Sequence, residues 1–121
     1  MLKSRTKQFS ISIAKLILSM RYNLVNKTYS NQLIRCSSSV GANYRAACRA
    51  KSTPDFINKL KIVEEELDES MFFLELLQEF NRDKQQEITV CWEEGNQLIS
   101  IIVAALKTLR SSQHTVVNPK S

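Results

Sequence analysis

Apolar residues return at alternating steps of four and three through four long stretches of this chain, and that rhythm commits it to helices. Phe9, Ile13, Leu16 and Met20 fall on one narrow stripe of a helix expected from about Thr6 to Leu24. A second helix, from about Asn31 to Ala50, carries Leu33, Cys36, Val40, Asn43 and Ala47 on one face. The third has the clearest start: Thr53 suits the N-cap, Pro54 the first helical position, and Asp55 the positive end of the helix dipole. It continues through Phe56, Leu60, Val63, Leu67, Met71, Leu74 and Leu77 to about Phe80. The fourth runs from near Glu87 to about Arg110, with Cys91, Leu98, Ile102, Ala105 and Leu109 inward.

Between these stretches, Asn26 to Ser30 and Asn81 to Gln86 read as short polar connections, and short connections make consecutive helices antiparallel neighbours. Two glycines and two prolines leave little turn chemistry for a many-stranded alternative. The expected fold is therefore all-α, one up-and-down antiparallel four-helix bundle over residues 1–112, with a flexible C-terminal tail at 113–121. A chain of 121 residues suits one such domain. The longest apolar stretch, near Leu98 to Leu106, is broken by Ser100 and is far shorter than the roughly 20 residues a membrane span needs. Charges and serines run through the N-terminal MLKSRTKQFSISIAKLILSM, so no signal-peptide core stands out, and a cytoplasmic location with no membrane contact is expected.

Catalytic and metal chemistry finds few supports. Cys36 and Cys48 lie 12 positions apart on one expected helix, about 18 Å by helical rise, too far to pair. Cys91 has no neighbouring cysteine, and the single histidine, His114, falls in the tail. All three thiols read as buried and reduced. The Glu-x-x-His pairs of di-metal bundles are absent, as are both glycine-rich phosphate-loop patterns. The acids from Glu64 to Glu69 mostly fall on the outward side of the Leu60, Val63 and Leu67 seam, as a solvated face does. Trp92 reads as a packing or interface aromatic. The chain is expected to be no enzyme and to hold no cofactor or metal.

Charge is divided unevenly. Met1 to Pro54 holds ten Lys or Arg and no acid, a charge of +10; from Asp55 on there are seven basic and twelve acidic residues, a charge of −5. Such asymmetry points to a polyanion, RNA or DNA first. The competing explanation is that the basic helices face acidic helices within the bundle or its oligomer. Helix 2 adds a ridge of Ser38, Ala42, Arg45 and Arg49 roughly opposite its apolar seam, with Arg35 beside it. Small side chains giving way to guanidinium groups can dock a neighbouring subunit or follow phosphates. The candidate nucleic-acid-binding residues are Arg35, Arg45 and Arg49 with Lys3, Lys7 and Arg21 from helix 1. Asn43, on the apolar seam, either fixes helix register or sits at a solvent edge.

Helices 3 and 4 carry more apolar surface than one core uses. Phe72, Phe73, Leu76 and Phe80 lie opposite Met71 and Leu74, and Ile99 and Val103 extend the apolar arc of helix 4. Soluble monomers rarely leave such patches open, so these six residues are the expected interface of a homo-oligomer.

A resemblance rests on specific pieces of the two central helices. They are Gln32-Leu33 with Arg35, then Ser39-Val40-Gly41-Ala42-Asn43, then Ser52 with Phe56, then Glu66-Leu67-Asp68-Glu69 running into Leu74-Glu75-Leu76-Leu77. In order and spacing the chain resembles the bacterial four-helix-bundle family of proteins encoded in intervening sequences of 23S rRNA genes. Relatives often carry a glutamate shortly after the Asn, where this chain has Tyr44-Arg45-Ala46-Ala47 and leaves helix 2 without an acid. The resemblance implies an up-and-down bundle assembling as a homopentamer without enzymatic activity. The fold is also similar to that of accessory proteins of diversity-generating retroelements, basic pentamers that bind a reverse transcriptase and nucleic acid. Two functions follow: a nucleic-acid-binding or ribonucleoprotein accessory protein, or a structural oligomeric adaptor whose partner is another protein.

Overall fold

The computed structural model describes residues 1–117, with side chains to residue 112. Four helices account for nearly all of it: α1 (Leu2–Ser19), α2 (Leu24–Cys48), α3 (Thr53–Phe80) and α4 (Gln85–Val117), with a short 3-10 turn at Arg82–Lys84. No strand occurs among the described residues.

Each helix packs on the next, and α1 closes against α4. Cross-helix contacts fix the directions. Ser10 Oγ donates to the Ser37 carbonyl at 2.7 Å, Asn26 meets Asn81, Ser70 Oγ lies 3.3 Å from Cys36 Sγ, and Trp92 Nε1 donates to Glu75 at 2.9 Å. Along every pair of neighbours numbering rises on one helix as it falls on the other, consistent with the expected up-and-down bundle. The interior holds the predicted seams: Phe9, Ile13 and Leu16 from α1, Leu33, Cys36 and Val40 from α2, Leu60 to Leu77 at helical spacing from α3, and Leu98 and Ile102 from α4. Ile57, Ile88 and Leu106 join them in place of the expected Phe56, Ala105 and Leu109, which are half-buried against the core.

Helix boundaries differ from expectation where capping decides them. The α1–α2 connection is Met20–Asn23, and the polar stretch Asn26 to Ser30 is helical. Asn23 adopts extended backbone and its Oδ1 accepts from Asn26 N at 2.8 Å, so the N-cap sits eight positions before the expected start at Asn31. The polar residues that read as a loop are inside the fold: Asn26 and Ser30 are buried, and the Tyr29 ring packs on Phe73 and Phe80 at 6.3 and 6.2 Å between centroids. At α3 the cap is Ser52, whose Oγ accepts from Asp55 N at 3.2 Å, rather than Thr53. Helix α4 runs on to Val117, past the end expected near Arg110, so the first residues assigned to the tail are helical. Residues 118–121 of the expected tail lie outside the described residues.

Both glycines serve close packing. A Cβ on Gly41 would stand 3.6 Å from the backbone of Thr6 and Lys7, so α1 rides on α2 there with nothing between the backbones. At Gly95 a Cβ would meet Met71 Cγ at 3.2 Å and the Phe9 ring at 3.3 Å, so the space its side chain would take is filled by α1 and α3. Asn43 does not fix register; it is half-buried and its Nδ2 donates to the Ser39 carbonyl of its own helix at 2.9 Å.

The thiols divide differently from expectation. Cys36 and Cys91 are buried, but Cys48 is exposed because the last turn of α2 has turned its position out of the core. Burial pushes the Cys36 and Cys91 thiols above the ordinary thiol value. Below about pH 8.5 folded and unfolded chains both hold these protons. Above it the unfolded chain releases protons that the folded chain keeps, so these two groups lower stability as pH rises. In native protein a thiol-reactive disulfide reagent is expected to titrate Cys48 alone, and all three cysteines after denaturation; prompt labelling of Cys36 or Cys91 in the native state would contradict the packing.

Candidate functional site

The helices place the basic residues in unequal settings. On α1, Lys3 and Lys7 are one turn apart, and at the end of α2 Arg45 is followed four positions on by Arg49, the helix's C-cap. Because α1 and α2 run antiparallel and touch at Gly41, the start of α1 lies beside the end of α2. The four cations therefore line one groove of about 550 Å³ between the two helices. Its walls also hold Ser4, Ser10, Ser38, Ile11 and Ala42, with Gly41 at the closest approach, and no acid is among them. All four cations are exposed, and none makes an ion pair among the described residues.

Other bases are already engaged. Arg35 donates to both carboxylate oxygens of Glu69, at 2.7 and 2.8 Å, and reaches Glu66 at 3.5 Å. The Glu69 hydrogen bonds raise its guanidinium further above the ordinary value. Arg5 forks onto Glu94 at 2.7 and 3.1 Å and also reaches Gln97, tying α1 to α4. Arg21 stands at the other end of α1, beside Asn23, Glu79 and Asp83. The structure thus gathers Lys3, Lys7, Arg45 and Arg49, and separates Arg35 and Arg21 from them. For Arg35 the competing explanation holds: it faces acids within its own bundle. The sequence reading named Ser38 and Ala42 on the α2 ridge but left out Ser4, Ser10 and Ile11, which wall the groove from α1. Their signal was present in the antiparallel pairing of α1 and α2, which sets residues near 4, 7 and 11 opposite residues near 45, 42 and 38.

The six candidate interface residues also divide. Phe72 and Phe80 are more than half exposed, at 53% and 58%, whereas Phe73, Leu76, Ile99 and Val103 are half-buried. Phe73 has Tyr29 on one side and the edge of Phe72 on the other, at 5.4 Å between ring centroids. Leu18, Tyr22 and Leu24, around the α1–α2 connection, are exposed apolar residues that helices 3 and 4 did not account for.

Nothing in the groove pairs a nucleophile with a base; it presents positive charge, hydroxyls and a little apolar wall, which suits holding an anion. Elsewhere among the described residues no group of three or more His, Cys, Asp or Glu is placed to hold a metal ion. No described helix is long and apolar enough to cross a membrane.

Fold and groove together define an all-α protein of four helices with an acid-free cleft that gathers four cations. The chain belongs to the family of 23S rRNA-intervening sequence proteins, whose family model matches residues 2–104. Among solved structures it is similar to a protein of unknown function from the S23 ribosomal protein family of Bacteroides thetaiotaomicron. That protein is 27% identical, with a TM-score of 0.78 over 88% of this chain and 99% of that one. Among curated proteins none matches the chain.

Proposed function

We propose that this chain is a non-enzymatic nucleic-acid-binding protein of the ribonucleoprotein accessory kind, acting as a homo-oligomer, and that the α1–α2 groove is where the polyanion is held. One observation carries the reading. Four cations stand together without an acid, in a molecule that pairs other bases such as Arg5 and Arg35. Like charges brought together without a counter-charge repel one another, and a polyanion relieves that repulsion while releasing its own counterions. The binding residues are Lys3, Lys7, Arg45 and Arg49; Arg35 and Arg21 stand outside the site.

Self-association rests on the exposed Phe72 and Phe80 and on Leu18, Tyr22 and Leu24, which a second copy would cover. The pentamer implied by the family resemblance is the proposed form. The alternative of a protein adaptor gains from the same apolar surface but leaves the groove charges unexplained.

A salt series tests the reading. Binding to a random RNA or DNA pool is expected to weaken linearly on a double-logarithmic plot. Up to four phosphates per groove gives a slope of up to about −3.6 on duplex DNA and about −2.8 on single strands. Little dependence on sequence is expected, since phosphate contacts carry none. Absence of salt-dependent binding to either nucleic acid would remove this function and leave the adaptor.

A further inference from the structure

We infer that the assembled protein binds nucleic acid multivalently: one long polyanion is gripped by the grooves of two or more copies at once, and fragments too short to span neighbouring grooves bind poorly. This rests on the nucleic-acid and self-association readings of the same molecule and adds the class of ligand, polyanions above a threshold length. The molecule is polarised along its length. Apart from Met1, every large apolar side chain more than half exposed among the described residues is Leu18, Tyr22, Leu24, Phe72, Phe80 or Val90. All six lie in the half of the bundle where α1 gives way to α2 and α3 to α4. The groove, at the start of α1 and the end of α2, is in the other half. Charge follows the same division. The groove gathers four cations and no acid. At the apolar end Arg21, Glu79, Arg82 and Asp83 line one hollow, both signs together, and none makes an ion pair among the described residues.

The two ends decide how a second copy sits. Two groove ends repel, since each brings cations without a counter-charge. Two apolar ends match: exposed apolar side chains are covered, and the arginines of one copy meet the carboxylates of the other. Copies therefore join through the half away from the grooves and leave the grooves open. In the ring of the proposed pentamer every copy stands at the same height, which sets all the grooves on one rim. Neighbouring grooves are then about one bundle width apart, roughly 20–24 Å for two helices side by side. A duplex advances about 3.4 Å per base pair and covers that distance in about seven. A strand that has filled one groove meets the next at high effective concentration, so the second contact adds affinity without any new kind of site.

Stoichiometric titration with a tetranucleotide RNA and with a 30-nucleotide RNA of mixed sequence tests this. In wild-type protein the tetranucleotide should saturate at one per chain, and the longer RNA at fewer than one per chain. Grooves closed to the tetranucleotide in the oligomer, or one long strand per chain, would overturn the inference. Without bridging the longer RNA gains roughly thirtyfold, from the registers it offers a groove, whereas engaging a second groove multiplies affinity by about a hundredfold more. A variant carrying Leu18→Gln, Leu24→Gln and Phe80→Gln together alters exposed side chains outside the groove and adds no charge. It should fall in mass by light scattering and lose the hundredfold gain, while binding the tetranucleotide as wild type does. A variant that keeps the wild-type mass, or a monomeric one that keeps the full preference for the longer RNA, would refute the multivalent mode. Wild-type protein that is monomeric yet binds the tetranucleotide would refute it too, and leave the groove as the nucleic-acid site. Should neither RNA bind, the functional reading fails with it.

Discussion

Arg45→Glu combined with Arg49→Glu is expected to lower nucleic-acid affinity on the order of a hundredfold or more at about 50 mM salt, and to flatten the salt slope. The two changes remove half of the groove's positive charge and set two carboxylates against any phosphate that approaches Lys3 and Lys7. Both positions are exposed and outside every ion pair among the described residues, so circular dichroism should show an unchanged helical fold. Oligomer mass, by light scattering, decides between the uses of this ridge. Wild-type protein should scatter at several times the 13.9 kDa chain mass, and the variant should do the same. A variant that falls to monomer mass would mean that Arg45 and Arg49 dock against acids of a neighbouring chain. A variant unchanged in both mass and affinity would leave this ridge with neither role.

Arg35 is the control that makes the result interpretable. On composition it is indistinguishable from Arg45, since it sits on the same acid-free helix. In the fold its side chain lies across α3 in a fork on Glu69, at 2.7 and 2.8 Å. The sequence shows that α2 is basic and α3 acidic, but not which arginine faces which helix. That depends on how far α2 is rotated against α3, and the rotation is set by Cys36, Val40 and Ser70 packing between them.

The interior was legible for the opposite reason. A repeat of three and four in Leu60, Val63, Leu67, Met71, Leu74 and Leu77 has one reading, because burying those side chains is worth about 1.5–3 kcal/mol each and no other geometry buries them together. Polar residues carry no such constraint. Asn26, Ser30 and Asn81 looked like loop, yet all three are buried. Asn26 and Asn81 are each other's partners across the bundle, and a local reading of polarity cannot find a partner 55 residues away. The groove shared both properties. Its cations were visible as a run without acids, while their grouping waited on the contact between α1 and α2 at Gly41.

Asn26 and Asn81 form the polar joint at the end of the bundle away from the groove, and their loss is the largest stability change expected from a single polar substitution. The two amides meet head to head. Asn26 Nδ2 donates to Asn81 Oδ1 at 2.8 Å, and Asn81 Nδ2 donates to Asn26 Oδ1 at the same distance. Each amide donates once more, Asn26 to the Arg21 carbonyl at 2.9 Å and Asn81 to the Leu77 carbonyl at 2.8 Å. The joint thereby ties the α1–α2 connection to the last turn of α3. No buried side-chain polar atom among the described residues lacks a partner. Asn81→Ala would leave the Asn26 Oδ1 buried without a donor and free the Leu77 carbonyl. A buried polar group left unsatisfied costs about 1–3 kcal/mol, which should appear in urea unfolding as a lower midpoint at constant slope. Asn26→Ala should cost a similar amount. In the double variant neither amide is left behind, so the combined loss should fall short of the sum by about 0.5 kcal/mol or more. Strict additivity would show that the two amides do not act as a unit. Affinity in the groove, at the opposite end of α1, should be unaffected wherever the variants remain folded, which separates what holds the bundle from what it holds.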